Sequence, residues 1–241
     1  MNIKTPKDTK YIFFDCMETL IDMDPIPSGE DYALWSYQDS GMEGLWGSYA
    51  EFLAEYNSAR ATLNRLHADL TEDSFAERFK IMCERHPLVG EQNIKPQAAA
   101  ERLTKHFLQT YYACCFVHED VREILPRLNA KYKLGVVSNF KAGGGIQTMI
   151  KTHGLAGYFE FILTSIDFGF RKPHPSIYKQ AIKRSGISPP LILFIGDDVQ
   201  NDIIVPATLG MQTLLFDRYG KYDSNYPKIK SFHELTDILG I

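Results

Sequence analysis

Cysteine is scarce in this chain of 241 residues: there are four, Cys16, Cys83, Cys114 and Cys115. None is spaced for a zinc site and adjacent cysteines rarely bridge, so no disulfide framework is expected and a reducing compartment is the default. No apolar run approaches the roughly 18 residues that suggest a membrane span. Positive charge is not in excess either. The formal net charge is -4, which leaves no global basic footprint for nucleic acid or an anionic membrane. A small anionic substrate stays open, because a site's field depends on a few local residues. The opening MNIKTPKDTK is polar and lacks the apolar core of a signal peptide, so the expectation is a soluble, cytoplasmic protein. There is no repeat and no low-complexity segment. What is present, 44% hydrophobic and 23% charged residues, suits one large domain or two modest ones.

Two textures divide the chain. In the second half short apolar runs recur: KLGVVSN (133–139), FEFILTS (159–165), LILFIGD (191–197) and QTLLF (212–216), after an early YIFF (11–14). Helical patterns separate them, at 118–132, 146–155, 175–186 and 200–210, and Gly154, Gly186 and Gly210 sit where C-terminal glycines belong. Continuous apolar strands alternating with amphipathic helices predict an α/β core, a parallel sheet covered on both faces. Residues 23–115 read differently. After the turn-rich MDPIPSGED they are helical without a clear strand, with a helix start read from Thr71, Glu72 and Ser74, and a break at HPLVGEQNIKP (86–96). The simplest topology inserts this all-α block between the first and second strands, giving a core of 1–22 and 116–241 around an insert of 23–115.

A parallel sheet places its chemistry at the carboxyl ends of its strands. The first strand exits at Asp15, the second at Ser138-Asn139, and the fourth at Asp197-Asp198, while Arg171-Lys172 lies in the loop leading to the third helix. An Asp after a strand is commonly a turn or cap, and GDD alone is a common turn. Acids, a hydroxyl and a cation at consistent strand ends point instead to a site. Asp15 is a candidate nucleophile: carboxylate attack on phosphorus splits one hard displacement into two easier ones. Lys172, or a cation held by Asp15 with Asp197 or Asp198, would neutralise the charge. Hard oxygen ligands without His or Cys favour Mg²⁺. Ser138 can hold a phosphoryl oxygen.

These segments resemble the four motifs of the haloacid dehalogenase-like hydrolase superfamily, mostly phosphatases on a Rossmann-like core. DCMETL (15–20) stands where the family has D-x-D-G-T-L, and GVVSN matches the strand ending in Ser or Thr. RKPHPSIY matches the lysine motif, and GDDVQNDIIVPATLGM the acidic fourth motif. The helical insert is similar to the cap that the dehalogenase-like branch carries at this point. By position, the resemblance implies Asp15 as nucleophile, Lys172 as charge neutraliser, and Ser138, Asn139 and Thr19 as substrate contacts. It implies Asp15, the backbone carbonyl of Met17, Asp197 and, through water, Asp198 around Mg²⁺, with Asp202 as a supporting acid.

The sequence departs from the family at Met17. There the phosphatases carry the Asp that protonates the leaving alcohol and then activates water, and Met can do neither; such help is worth typically about 10²–10⁴ in rate. Three readings stay open: a phosphatase that manages without that Asp, a dehalogenase or other carbon-centred hydrolase, and a phosphate-binding protein with little or no turnover. The retained GDDVQND acids favour phosphorus chemistry on a small phosphorylated metabolite. Glu18 replaces the motif's Gly. KAGGG (141–145) reads as a turn rather than a phosphate cradle, His174 as a spacer, and Asp167 as an orienting group or loop end. Tyr37, Trp46 and Tyr49 read mainly as packing in the helical block, and a place to look for a substrate wall. FDRYGKYDSNYPK (216–228) reads as a surface loop.

Overall fold

The computed structural model describes residues 8–86, 95–223 and 225–241. The polar opening read over 1–10 falls mostly outside them, as does most of the break read over 86–96.

YIFF forms β1 (Tyr11–Phe14), with all four residues buried. Helices α1 (Gly29–Tyr37), α2 (Tyr49–Leu66), α3 (Phe75–Arg85) and α4 (Pro96–Cys114) follow. The chain then alternates through α5 (Glu119–Lys131), β2 (Lys133–Ser138), α6 (Gly145–Thr152) and β3 (Phe161–Thr164). Next come the short α7 (Ser165–Phe168), α8 (Pro175–Ser185), β4 (Ile192–Gly196) and α9 (Val205–Thr208). Strands β5 (Gln212–Phe216) and β6 (Lys228–Ile229) and helix α10 (Leu235–Leu239) complete it.

All strand pairs are parallel, in the order β3-β2-β1-β4-β5-β6. The chain runs outward from β1 to β3 on one side and from β4 to β6 on the other. A crevice therefore opens at the carboxyl ends of β1 and β4, where such sheets bind ligands. The strands are apolar on both sides because both faces are covered. Tyr11, Phe13 and Phe194 pack with Ile177, Tyr178 and Ala181 of α8 on one face. Phe14 stacks on Phe232 at 5.9 Å on the other. Each such side chain contributes about 1.5–3 kcal/mol on burial.

The fold divides into two compact units, Met1–Asp22 with Phe116–Ile241, and Met23–Cys115. Asp22 and Phe116 exchange backbone hydrogen bonds at 2.8 and 2.9 Å, so the chain leaves and re-enters the sheet unit at one point. The helical unit has its own core: Phe52, Tyr56, Ala59 and Leu63 line one face of α2, and Leu103, Phe107 and Tyr111 one face of α4.

The structure differs from the sequence expectations in four places. Helix α1 begins inside the stretch read as turns, with Ser28 and Asp31 forming a reciprocal capping box. Ser74 does start α3, but its partner is Glu77, not Glu72 or Thr71. The helix expected over 200–210 is a π-helical turn, Val199–Ile204, running into α9; Pro206 has no N–H to give the carbonyl of Asp202, which breaks the regular ladder. The loop expected over 216–228 ends in β6, where Leu215 pairs with Lys228 and Phe216 with Ile229.

Candidate active site

The crevice at the switch between β1 and β4 gathers four of the expected residues, Asp15, Lys172, Asp197 and Asp202. Asp15 leaves β1 with its N–H donated to the carbonyl of Ile195 at 2.9 Å, which ties it to the neighbouring strand. Its side chain is mostly buried, and Lys172 Nζ lies 2.9 Å from Oδ1. The same ammonium lies 2.7 Å from Oδ1 of Asp202, and Lys172 is 3% exposed. Burial alone would lower the Lys172 pKa; Asp15 and Asp202 reverse this and raise it. The lysine is therefore a permanent cation held between two acids.

Asn139, expected at the substrate, is otherwise engaged. Its Nδ2 donates to the carbonyl of Lys172 at 2.9 Å, and the N–H of Lys172 donates to its Oδ1 at 2.7 Å. The side chain fastens the lysine loop to the end of β2. Ser138, also expected at the substrate, is fully buried, and its hydroxyl has no hydrogen-bond partner. An orphan buried hydroxyl is costly unless a ligand meets it.

On the β4 side, one carboxylate oxygen each from Asp15, Asp197 and Asp202 lie within 4.8 Å of one another. Burial, then Asp15 and Asp202, push the Asp197 pKa up to about 9. Asp202 is pushed up to about 7 by burial, against the pull of Lys172. Three acids this close cannot all stay ionised in a poorly solvated site without added positive charge. Their arrangement suits a hard divalent cation.

The two remaining motif acids have separate tasks. Asp198, expected near the metal, caps the π-turn: its Oδ1 accepts the N–H of Asn201 at 2.7 Å. It lies outside the three-acid cluster found among the described residues. Asp202 accepts Lys172 on one oxygen and the Asp198 N–H on the other, at 3.1 Å. This close approach requires Gly196, where a Cβ would stand 2.3 Å from the Asp202 carboxylate. Thr19 is buried with its hydroxyl 3.5 Å from Asp197 Oδ1, a long contact to a motif acid.

The loop after β1 is closed on itself by the N–H groups of Leu20 and Ile21 donating to the carbonyl of Cys16, at 2.8 and 2.9 Å. Glu18 sits in it at φ 58°, left-handed backbone that glycine favours. Its carboxylate pairs with Lys221, a residue that nothing in the sequence pattern singled out. Lys221 belongs to a loop after β5 whose turn is held by Asp217, which accepts the Lys221 N–H at 2.6 Å. The only hint was a cation in a stretch read as surface loop.

Other expectations take bland forms. His174 caps α8 and stacks on Phe170 at 4.3 Å. Asp167 accepts from Thr164 and Gln147, at 2.7 and 3.0 Å. Trp46 is 2% exposed in the helical unit's core and donates to Glu55 at 2.8 Å. Tyr37 packs on Tyr49 and Phe52, and Tyr49 donates to the carbonyl of Glu30. None of the four cysteines is in a disulfide. No described helix is long and apolar enough to cross a membrane.

The family model described as haloacid dehalogenase-like hydrolase matches residues 50–216. A glyceraldehyde 3-phosphate phosphatase of Pyrococcus furiosus is 26% identical over 219 residues, spanning 88% of this chain and 82% of that protein. The crystal structure of a 2-haloacid dehalogenase from Pseudomonas syringae pv. Tomato DC3000 superposes with TM-score 0.77 at 22% identity, covering 96% of this chain and 98% of the other. That of a HAD phosphatase from Thermococcus onnurineus gives 0.68 at 23% identity, with the same coverages. The two structures establish a common fold, not a common chemistry.

Proposed function

The chain belongs to the haloacid dehalogenase-like hydrolases, and we propose that within that family it is a Mg²⁺-dependent phosphatase of small phosphate esters. The observation that carries this reading is the carboxylate cluster of Asp15, Asp197 and Asp202 beside a buried lysine. Displacing halide from carbon by a carboxylate needs no divalent cation. Packing further acids around the nucleophile would then only add repulsion between like charges. The same acids become useful when a cation must bring an anionic ester to an anionic nucleophile.

Asp15 and Asp197 would hold the cation, joined by the main-chain carbonyl of Met17. Both oxygens of Asp202 already accept hydrogen bonds, which suits it to support rather than to ligate. When bound, a divalent cation supplies charge neutralisation and orients a phosphoryl oxygen. Asp15 attacks phosphorus, the bond to the leaving oxygen breaks, and an aspartyl-phosphate forms; water then attacks the same phosphorus, the Asp15–phosphorus bond breaks, and inorganic phosphate leaves with the carboxylate restored. Ser138 donates its unpartnered hydroxyl to a phosphoryl oxygen, and Lys172 balances the charge on Asp15. Met17 offers no proton, so esters with good leaving groups are favoured. The sheet unit is the catalytic core in this reading, and the helical unit is the cap that selects substrate. The glyceraldehyde 3-phosphate phosphatase relative makes a small phosphorylated metabolite the first substrate class to test.

The test is hydrolysis of p-nitrophenyl phosphate with and without Mg²⁺. Turnover is expected only with the metal, and Asp15→Asn is expected to remove it. Chloride release from a 2-haloacid in EDTA, without phosphate release, would select the dehalogenase instead.

A further inference from the structure

The Glu18–Lys221 pair remains once Asp15, Lys172, Ser138 and the acid cluster have been assigned. Its cost is visible: Glu18 is held at φ 58°, left-handed backbone that is strained for a residue with a side chain. Lys221 comes from the loop after β5, 203 positions away in sequence, so the contact joins two of the loops beside the sheet's carboxyl edge. Together with Asp197 and Asp217 the pair lines a cleft of about 10 Å³, room for roughly one water molecule.

The charges explain why a cation is useful there. Three carboxylates, Asp15, Asp202 and Glu18, act on that of Asp197. Lys172 is committed to two of them. Partial burial would lower the Lys221 pKa, but Glu18 and then Asp197 raise it, so it stays charged beside the cluster. Its side chain is 40% exposed, which leaves it able to turn toward a ligand. The reacting phosphoryl group belongs at Asp15, against Lys172 and Ser138, whereas Lys221 is anchored three residues further on, at Glu18.

We propose that Lys221 binds a second anionic group of the substrate, and that Glu18 is the counter-charge it leaves to do so. The inference rests on the phosphatase reading and narrows its substrate class to small phosphate esters carrying a carboxylate or second phosphate near the one removed. With substrate absent, the pair keeps the cleft closed. An anion of suitable reach takes the place of the Glu18 carboxylate on the lysine.

The test uses 3-phosphoglycerate and glycerol 3-phosphate, which differ by a carboxylate against a hydroxymethyl group. Binding to the full chain is measured by calorimetry with Mg²⁺ in the Asp15→Asn background, and turnover is measured separately in the wild-type protein. The expected preference for 3-phosphoglycerate is about tenfold, as for one charge-assisted contact, and Lys221→Met removes it while Lys221→Arg keeps most of it. Glu18→Gln is expected to tighten 3-phosphoglycerate binding by removing the competitor. Equal losses for both esters in Lys221→Met would put the lysine on the reacting phosphate and overturn the inference, as would an unchanged preference. Weaker 3-phosphoglycerate binding in Glu18→Gln would overturn the counter-charge role. Selective binding without turnover of either ester or of p-nitrophenyl phosphate would defeat the phosphatase reading alone.

Discussion

Replacing Lys172 by Met tests the electrostatic core of the site. The side chain is 3% exposed and touches Asp15 at 2.9 Å and Asp202 at 2.7 Å. Methionine fills a similar volume, so the loss is one of charge rather than of packing. Removing one partner of a buried ion pair costs about 3–5 kcal/mol, because the remaining charge is stranded. At about 2–4 °C per kcal/mol for a chain of this size, the melting temperature of the sheet unit falls by roughly 6–20 °C in EDTA. Two compensations follow from the same reasoning. Lys172 lowers the pKa of Asp202, so its loss raises that pKa further and the penalty shrinks at acidic pH, where the acid is already protonated. Adding Asp202→Asn removes the stranded charge and is expected to recover about 2 kcal/mol or more of the loss, a coupling that independent sites do not show. Thermal melts by circular dichroism, with EDTA and with Mg²⁺, measure all of this. A single variant within about 0.5 kcal/mol of wild type, like an ordinary surface change, would refute the view that Lys172 holds the acids together.

The pH dependence of stability follows from the same acids. Asp197 and Asp202 have folded pKa values of about 9 and about 7, above their usual 3.8, so the fold binds protons that the unfolded chain has released. Their stabilising contribution is complete below about pH 4 and is lost as pH rises through 7 and 9, at up to about 1.4 kcal/mol per pH unit for each proton. Melts in EDTA should fall over this range and flatten with Mg²⁺; a flat profile in EDTA would contradict the crowding. At Glu18, Gly is expected to be more stable than Ala by about 0.5–1 kcal/mol in urea denaturation, the reverse of the ordinary order, because φ 58° suits glycine. Met17→Asp is expected to raise kcat on esters with poor leaving groups by about tenfold or more, and by less on p-nitrophenyl phosphate, where only the attack of water on the aspartyl-phosphate gains from it. No gain on either class would show that position 17 does not govern proton transfer.

How much of this was legible in the sequence depends on how local each signal is. The strands were readable because parallel strands buried on both faces are continuous apolar runs, and their polar ends place Asp15, Ser138 and Asp197 at one edge. Helix α1 was hidden because only Ala33 and Ser36 are buried on it, so it shows no apolar stripe. Its usable signal was the Ser28-x-x-Asp31 capping box. The π-turn at Val199–Ile204 is too short for periodicity to distinguish it from an α-helix. Asn139 had been placed by its neighbour Ser138, yet its partner is a backbone 33 residues away. Glu18 and Lys221 are further apart still, and no spacing rule joins them.

The loop after β1 separates what the substitutions at positions 17 and 18 change from what they leave alone. Leu20 and Ile21 still close on the Cys16 carbonyl, and residue 18 still takes the left-handed conformation that glycine adopts without strain. The backbone course past Asp15 therefore persists, with the Met17 carbonyl in it, although both side chains differ from the family motif. In the proposed mechanism, placement of the nucleophile depends on that main chain and on Lys172, and both are present. Proton transfer would depend on the side chain at 17, and Met17 cannot supply it. A protein drifting toward inactivity has no reason to hold Glu18 in a strained conformation or to keep Gly196 clear for Asp202. The retained geometry argues for a working nucleophile with narrowed chemistry, in which the leaving group must depart without help from position 17.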